Sequence, residues 1–213
     1  MILQDIINII ESVAPLSYQE SWDNSGLQVG DRNAEVHAAL LTVDVTESVV
    51  DEAIEKHCDL IISHHPLIFR GLKQITGSTT QERCIEKAIR HNIAIYSSHT
   101  SMDVYLHGVS GKIADKLDII NYHILCPTTD DNVGLGVIGE LKTPMTSDDF
   151  IHFVQNIFDC SLRYIKPCDE NITTVAICGG AGAEFITQAI AQSADIYITA
   201  DMKYHEMQAA YGQ

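Results

Sequence analysis

Several histidine and aspartate residues stand directly after predicted β-strands, where a strand ends and a loop begins. They are Asp44, His64, His65, His99, Asp103, Asp201 and His205. Ligands of open parallel sheets bind at the carboxyl ends of the strands, so these side chains are placed where a site is expected. Imidazole and carboxylate groups bind zinc, iron and similar metals, and they also transfer protons. The pattern predicts a metal centre with proton-transfer groups beside it.

The adjacent pair His64-His65 restricts how these two imidazoles can act. Successive side chains of a strand point to opposite faces, so the two rings serve one centre only if the chain leaves the strand there. Otherwise they serve two neighbouring metals or two separate roles. Pro66 favours an extended exit from the strand, and a carboxylate such as Asp103 is able to bridge two ions. Together with His99 after the next strand, the pair predicts a metal site.

The elements that position these residues alternate between strand and helix. Apolar periodicity predicts strands at 38–43, 60–63 and 93–97, and helices at about 46–57 and 79–91. This alternation is typical of parallel βαβ units, whose strand ends meet at one edge of a sheet. The sequence therefore predicts an α/β fold with mostly parallel sheets.

A change of composition near residue 125 predicts a second domain. A polar run follows at 128–132, and such linkers commonly separate domains. We place an N-terminal α/β domain at 1–125 and a second α/β domain at 126–213. The metal site is expected at the carboxyl ends of the strands, in the cleft between the two domains.

The two predicted domains share an internal similarity. When the sequence is shifted by 136 positions, residues 38–65 fall on 174–201 without a gap, and Asp59 falls on Asp195. Two copies of one βαβ unit would explain the match. The general pattern shared by all βαβ units would explain it equally well, so both interpretations stay open.

Composition and charge exclude several classes of protein. The chain of 213 residues carries 13 Lys and Arg against 29 Asp and Glu, and its net charge of −16 argues against non-specific nucleic-acid binding. No apolar run is long enough to span a membrane, and the segment 1–12 lacks the basic residue that opens a signal peptide. The six cysteines are scattered, which predicts reduced thiols in a cytoplasmic protein.

Five segments of the chain, in order, resemble the motifs of one known family. They are Ser21–Gly30, Ser63–Leu67, Ser98–Asp103, Gly134–Leu141 and Asp201–His205. The family is that of the interacting-factor-three-like dinuclear metal proteins, also named type 2 GTP cyclohydrolase I. Five motifs in register are far more specific than any one of them, and the resemblance covers essentially the whole chain.

The resemblance implies a two-domain α/β fold with a dinuclear metal centre, assembled as a homo-hexameric ring. It implies that His64, His65 and Asp103 bind two divalent metal ions, which are zinc, iron, manganese or nickel. It places His99 and His205 beside the metals as catalytic candidates for proton transfer. The family's remaining ligands, a histidine and a following glutamate, come later in the family pattern than the last residue of this sequence. We expect one of two explanations: this sequence is incomplete and these ligands follow in further sequence, or this variant lacks them.

The resemblance also implies a function. A metal-dependent hydrolase of this kind would use metal-activated water to open the purine ring of GTP or to attack a similar electrophile. Two alternatives stay open, and whether the protein is an enzyme is open with them. One is a non-catalytic metal-binding ring with a regulatory or ion-handling role, and the other is a metal-dependent phosphoesterase. The chain is expected to bind further copies of itself and a nucleotide or another small-molecule substrate.

Overall fold

The structure is a computed structural model that describes residues 1–128, 133–165 and 171–212. It contains two compact units, Met1–Met102 and Asp103–Gln213, each built around a four-stranded sheet. Strands and helices alternate along much of the chain, which confirms the predicted α/β fold. Within the described ranges, no helix combines the length and the apolar character that crossing a bilayer requires.

The first unit contains a mainly parallel sheet. Its strands are β1 (Gly26–Val29), β2 (Ala39–Thr42), β3 (Leu60–Ser63) and β4 (Ala94–Ser97), in the spatial order β1-β4-β3-β2. Strands β2, β3 and β4 are parallel, and β1 is antiparallel to β4. The helices are α1 (Leu3–Val13), α2 (Glu47–Glu55), α3 (Thr80–Arg90) and the short α4 (Thr100–Asp103), which ends at the first residue of the second unit.

Helices α2 and α3 pack on the sheet through apolar residues that recur at helical spacing. The buried cluster they share with the strands consists of Val50, Ala53, Cys58, Ile61, Cys84, Ala88, Ile93 and Ile95. Each helix begins at a threonine cap: the Thr46 hydroxyl accepts the backbone N–H of Val49, and the Thr79 hydroxyl accepts that of Glu82. The caps fix where each helix starts and therefore where the preceding loop must end.

The loop between β3 and α3 is held by a buried carboxylate. Glu82 accepts hydrogen bonds from the backbone N–H groups of Thr76 and Ser78, at 2.8 and 3.1 Å, and from the Thr76 hydroxyl at 2.9 Å. These donors lower the pKa of Glu82 below its ordinary value because they stabilise the charged form. The ionised carboxylate thereby fastens to α3 the loop that follows His64 and His65.

The second unit contains a mixed sheet. Its strands are β5 (Ile119–Pro127), β6 (Gly134–Thr146), β7 (Asn171–Ile177) and β8 (Ile196–Ile198), in that spatial order, and its helices are α5 (Val109–Lys116), α6 (Ser147–Phe158), α7 (Ile186–Ala191) and α8 (Tyr204–Ala209). Only β7 and β8 are parallel; β5 with β6 and β6 with β7 are antiparallel. This sheet differs from the mostly parallel arrangement predicted. A parallel pair needs a crossover of about a dozen residues or more, and the connection between β5 and β6 is shorter.

The first unit ends at Met102, earlier than the predicted domain boundary at 125–126. Helix α5 precedes that predicted boundary, yet it packs on β5 and β6 of the second unit. Ala114 and Leu117 at the end of α5 belong to the same buried core as Val137 of β6. A helix belongs with the sheet whose apolar face it covers, so this compact unit begins before α5.

The βαβ segments of the two units have the same strand register. In the first unit Ala39 of β2 pairs with Leu60 of β3. In the second unit Val175 of β7 pairs with Ile196 of β8. Val175 lies 136 positions after Ala39, and Ile196 lies 136 positions after Leu60, which is the same shift that relates the two sequence segments. A general βαβ pattern would not require identical register, so the pairing favours two copies of one unit.

A matched carboxylate contact supports the same conclusion. Asp59 accepts hydrogen bonds from the backbone N–H groups of His37 and the next residue, at 2.8 and 3.4 Å. Asp195, at the equivalent position, accepts them from Thr173 and the next residue, at 2.7 and 2.8 Å. In each unit the carboxylate satisfies backbone donors beside the neighbouring strand, which fixes the register of the parallel pair.

Candidate metal centre

Strands β3 and β4 bring three histidines to one edge of the first sheet. The two strands are adjacent and parallel, with Ser63 paired to Ser97, so both strands end at the same edge. His64 and His65 follow β3 directly, and His99 follows β4 after one further residue. The hydroxyl oxygens of Ser63 and Ser97 lie 2.9 Å apart, and their hydrogen bond ties the two strand ends together.

The three imidazole rings lie close together. Ring centroids are 4.9 Å apart for His64 and His65, 5.3 Å for His64 and His99, and 5.6 Å for His65 and His99. One ring nitrogen of each histidine lies within 4.8 Å of the others. Three protonated rings in so small a volume would repel one another, whereas three neutral rings are suited to bind a metal ion. The donor set therefore fits a divalent metal.

The end of β3 explains why two adjacent histidines are able to converge. The strand ends at Ser63, and the chain bends through His64 and His65. In a continued strand the two rings would point to opposite faces of the sheet. Because the chain leaves the strand first, both rings contribute to one cluster, which is the first of the alternatives that the sequence left open.

Two of the rings are held from behind by carboxylates. His99 Nδ1 lies 2.8 Å from Asp23 Oδ1, and His65 Nδ1 lies 2.8 Å from Asp44 Oδ1. Histidines that bind metals commonly donate their second ring N–H to a carboxylate, which fixes the tautomer and the orientation of the ring. A carboxylate accepts the Nδ1–H of a neutral ring, and in that tautomer Nε2 has the lone pair for a ligand.

Asp23 anchors this arrangement from a fully buried position. Its side chain has no exposed surface, and it also accepts hydrogen bonds from the hydroxyls of Thr100 and Ser25, at 2.6 and 2.8 Å, and from the backbone N–H of Asn24 at 2.7 Å. Burial alone would raise the pKa of Asp23. The bond with His99 and the other donors outweigh burial and lower that pKa to about 2. Asp23 is therefore ionised at neutral pH and holds His99 in one tautomer.

The environment of His64 keeps this ring neutral near pH 7. Burial has the largest effect, and the nearby rings of His65 and His99 add to it, so the pKa of His64 lies below its ordinary value. A hydrogen bond to the backbone of Ser98 acts in the opposite direction without cancelling the shift. Since only the neutral imidazole binds a metal, His64 is ready to act as a ligand at neutral pH.

In the metal-free protein, His64 is expected to titrate below the ordinary pKa of histidine. The measurement is a set of long-range ¹H–¹⁵N spectra of the ring nitrogens from about pH 8 to about pH 5. In the His99→Ala variant the pKa of His64 is expected to move back toward its ordinary value, because one repelling ring is gone. A His64 ring that titrates at or above the ordinary value in the wild type would contradict the arrangement.

The structure brings together three of the five predicted site residues. His64, His65 and His99 form the imidazole cluster. Asp103 is the half-buried last residue of α4, and His205 is an exposed residue of α8. Both belong to the second unit, and their roles, like the position of the site in a cleft, stay predictions.

Sequence reasoning did not select Asp23, although this carboxylate is central to the cluster. Its contact with His99 joins residues 76 positions apart. The signal that could have found it is the segment Ser21–Gly30, which carried part of the family resemblance and contains Asp23. Asp44 is one of the predicted strand-end residues, and its carboxylate contacts the ring of His65.

Several known proteins are similar to this chain over most of its length. The family described as Duf34/NIF3 (NGG1p interacting factor 3) matches residues 1–213. A Clostridium acetobutylicum protein named "GTP cyclohydrolase 1 type 2 homolog" is 38% identical over 206 residues, which span 95% of this chain and 77% of the relative. The Drosophila melanogaster "NIF3-like protein 1" is 34% identical over 210 residues, which span 96% of this chain and 71% of the relative.

Solved structures show the same fold. A Bacillus cereus protein related to NIF3 has a TM-score of 0.91 and 27% identity, covering 98% of this chain and 84% of its own. A Staphylococcus aureus hypothetical protein has a TM-score of 0.92 and 31% identity, covering 99% of this chain and 82% of its own. The similarity therefore extends over nearly all of this chain and includes the elements that carry the imidazole cluster.

Proposed function

This chain belongs to the Duf34/NIF3 family, and from that premise we propose that it is a dinuclear metal-dependent hydrolase. The observation that carries the proposal is the imidazole cluster of His64, His65 and His99. Two of its rings have carboxylate partners that leave Nε2 available to a ligand. Packing of the core alone would not require three imidazole rings side by side, so the cluster supports a role in binding a ligand.

The proposed ligands are His64, His65 and Asp103, with His99 beside them. Imidazole and carboxylate donors accept zinc, iron, manganese or nickel, and the metal available to the cell selects among them. When bound, such ions supply Lewis acidity and lower the pKa of water from about 16 to about 7. Hydroxide would then be available at neutral pH for attack on an electrophilic carbon.

The residues of the chain orient groups and move protons in this scheme. Asp23 holds the Nδ1 proton of His99 toward itself, so that His99 Nε2 presents a lone pair. That nitrogen either binds a metal or accepts the proton of an attacking water. His205 is proposed as a second proton carrier, which would donate a proton to the leaving nitrogen and regain one from solvent.

GTP is the first substrate to test, because curated relatives carry the name "GTP cyclohydrolase 1 type 2 homolog". One water added at C8 of guanine opens the five-membered ring to a formamide, and a second water cleaves the formamide to formate and an amino group on the base. A phosphoesterase would release inorganic phosphate instead. The two products separate these functions in a single reaction mixture.

The full chain loaded with manganese, iron or zinc is expected to release formate from GTP at a rate that metal removal by a chelator abolishes. The measurement combines a coupled formate assay with a phosphate assay on the same samples. Phosphate without formate would favour the phosphoesterase. Fully metal-loaded protein that turns over neither GTP nor other nucleotides would contradict the hydrolase proposal and favour a metal-binding protein without catalysis.

We also propose that the chain assembles as a homo-hexamer and functions in the cytoplasm. The homo-hexamer rests on the family resemblance, and the cytoplasmic location rests on the scattered cysteines. Light scattering on the full chain measures the oligomer directly. A hexamer mass would agree with the proposal, and a monomer at all protein concentrations would contradict it.

A further inference from the structure

Two exposed aromatic side chains stand beside the imidazole cluster. Trp22 is 57% exposed and Phe69 is 43% exposed. Their ring centroids lie 5.9 Å apart with the planes inclined at 52°, and the Trp22 ring lies 6.0 Å from the His99 ring in an edge-to-face arrangement. Trp22 is the only tryptophan of the chain. Tryptophan is highly buried on average, so its exposure next to a chemical site calls for an explanation.

The aromatic pair is held in place by two side-chain amides. Asn24 Nδ2 donates to the backbone carbonyl of Ile68 at 2.6 Å, and the backbone N–H of Ile68 donates to Gln28 Oε1 at 2.8 Å. Gln28 Nε2 also donates to the backbone carbonyl of Asn24 at 2.6 Å. Both backbone groups of Ile68 are therefore fastened to the segment that carries Trp22. Phe69 follows Ile68 directly, so the backbone that carries its ring is held in place before any ligand arrives.

The size and place of this pair favour a small planar ligand over a protein partner. A stable protein interface covers about 800 Å² on each side, far more than two side chains provide. Aromatic rings stack on the faces of heterocyclic bases irrespective of the base, because every base has a π-face. A ring stacked here would lie next to the imidazoles that are proposed to hold the metals.

We propose that Trp22 and Phe69 form a stacking platform that binds a planar heteroaromatic ring of the substrate. This inference rests on the proposed function and narrows it: the substrates are compounds with a planar heterocycle, such as purine nucleosides and nucleotides. Aliphatic phosphoesters, which present no π-face, are not recognised by the platform. Asn24 and Gln28 are positioning residues, since they act through the backbone of Ile68.

The emission of Trp22 tests the platform directly, because no other tryptophan contributes to the signal. The zinc-loaded full chain is titrated with guanosine and GTP, and separately with inorganic triphosphate and ribose 5-phosphate, with absorbance corrections. Saturable quenching by guanosine and GTP is expected, and none by the two probes without a base. Quenching by the probes without a base to the same extent as by guanosine would overturn the proposal.

The variant Phe69→Leu removes the ring and keeps an apolar side chain. The two ring planes are inclined at 52°, so a base that stacks on one ring contacts the other at an angle. Loss of the Phe69 ring contact is expected to weaken guanosine binding about tenfold, within the range known for base contacts with aromatic residues. With GTP as substrate, KM is expected to rise while kcat changes little. The control is Ile89→Ala, which removes an exposed apolar side chain near the end of α3. Unchanged guanosine affinity in Phe69→Leu would overturn the platform.

Two further outcomes separate the platform from the hydrolase proposal. Guanosine quenching that Phe69→Leu weakens, in a protein without turnover, would support the platform while the hydrolase proposal fails. Formate release from GTP without any change in Trp22 emission would support the hydrolase proposal and overturn the platform. If Trp22 emission depends instead on protein concentration without ligand, and Phe69→Leu removes that dependence, the pair serves contact between chains and the proposal is overturned.

Discussion

Replacement of His64 by alanine is expected to lower the affinity for a divalent metal more than about a hundredfold and to abolish metal-dependent hydrolysis. Loss of a group that merely supports a ligand costs about ten- to a hundredfold, and loss of a ligand itself is more severe. His64 is also the ring whose lowered pKa keeps it neutral at pH 7, so the variant loses a donor that is ready to bind. The measurement is metal content by mass spectrometry together with competition against a chelating dye.

The matched control is His91→Ala. His91 is an exposed histidine at the C-cap of α3, outside the imidazole cluster. Its replacement is expected to leave metal content and affinity unchanged within about twofold. Circular dichroism of both variants checks that the fold is intact. If His64→Ala retains full metal content and hydrolyses substrate at the wild-type rate, the proposed centre is not where the metals bind.

The second large effect is expected from Asp23→Asn. An amide cannot accept the whole set of donors that the carboxylate accepts, because its NH₂ group faces other donors. The variant is expected to lose metal-dependent hydrolytic activity about ten- to a hundredfold, since His99 is no longer held in one tautomer. It is also expected to lose about 2 kcal/mol of unfolding free energy at pH 7, as the pKa of about 2 in the folded protein implies.

The pH dependence of stability supplies an independent measurement. The pKa of Asp23 is lowered in the folded state from an ordinary value of 3.8 to about 2. Its contribution is therefore complete above the unfolded-state pKa and is lost as the pH falls through that value toward 2. Urea unfolding followed by Trp22 emission is expected to show this loss in the wild type and a flatter profile in Asp23→Asn.

Asp44→Asn is the matched control for this experiment. Asp44 also contacts a ring nitrogen of the cluster, through His65, but its side chain is 64% exposed. Exposed pairs contribute about 0–1 kcal/mol to stability, so little change in unfolding free energy is expected. If Asp23→Asn and Asp44→Asn destabilise the protein equally, the burial and the hydrogen bonds of Asp23 do not have the role assigned to them.

Much of the first unit follows from local patterns. The apolar spacing of α2 and α3, their threonine caps and the short apolar strands β3 and β4 all depend on residues a few positions apart. Those patterns placed His64, His65 and His99 at strand ends, where the structure also has them. The shift that relates Asp59 to Asp195 was visible in the sequence too, although the strand register was needed to favour duplication.

The second sheet shows where local patterns no longer suffice. Strand propensity identifies a segment as extended but does not state its partner or its direction. The long strand β6 pairs with β5 and β7, both antiparallel, and this choice depends on connection length and on which apolar faces meet. Helix α5 is likewise assigned to the second unit by the sheet it covers rather than by its own sequence.

What the sequence by itself determined is the set of chemical groups: imidazoles and carboxylates at strand ends, in segments that resemble the motifs of one family. Only the tertiary structure decided that Asp23 is the buried partner of His99 and that Trp22 lies against both Phe69 and His99. These contacts join residues dozens of positions apart. Their geometry depends on where each strand ends and how each loop is fastened, which no short-range periodicity encodes.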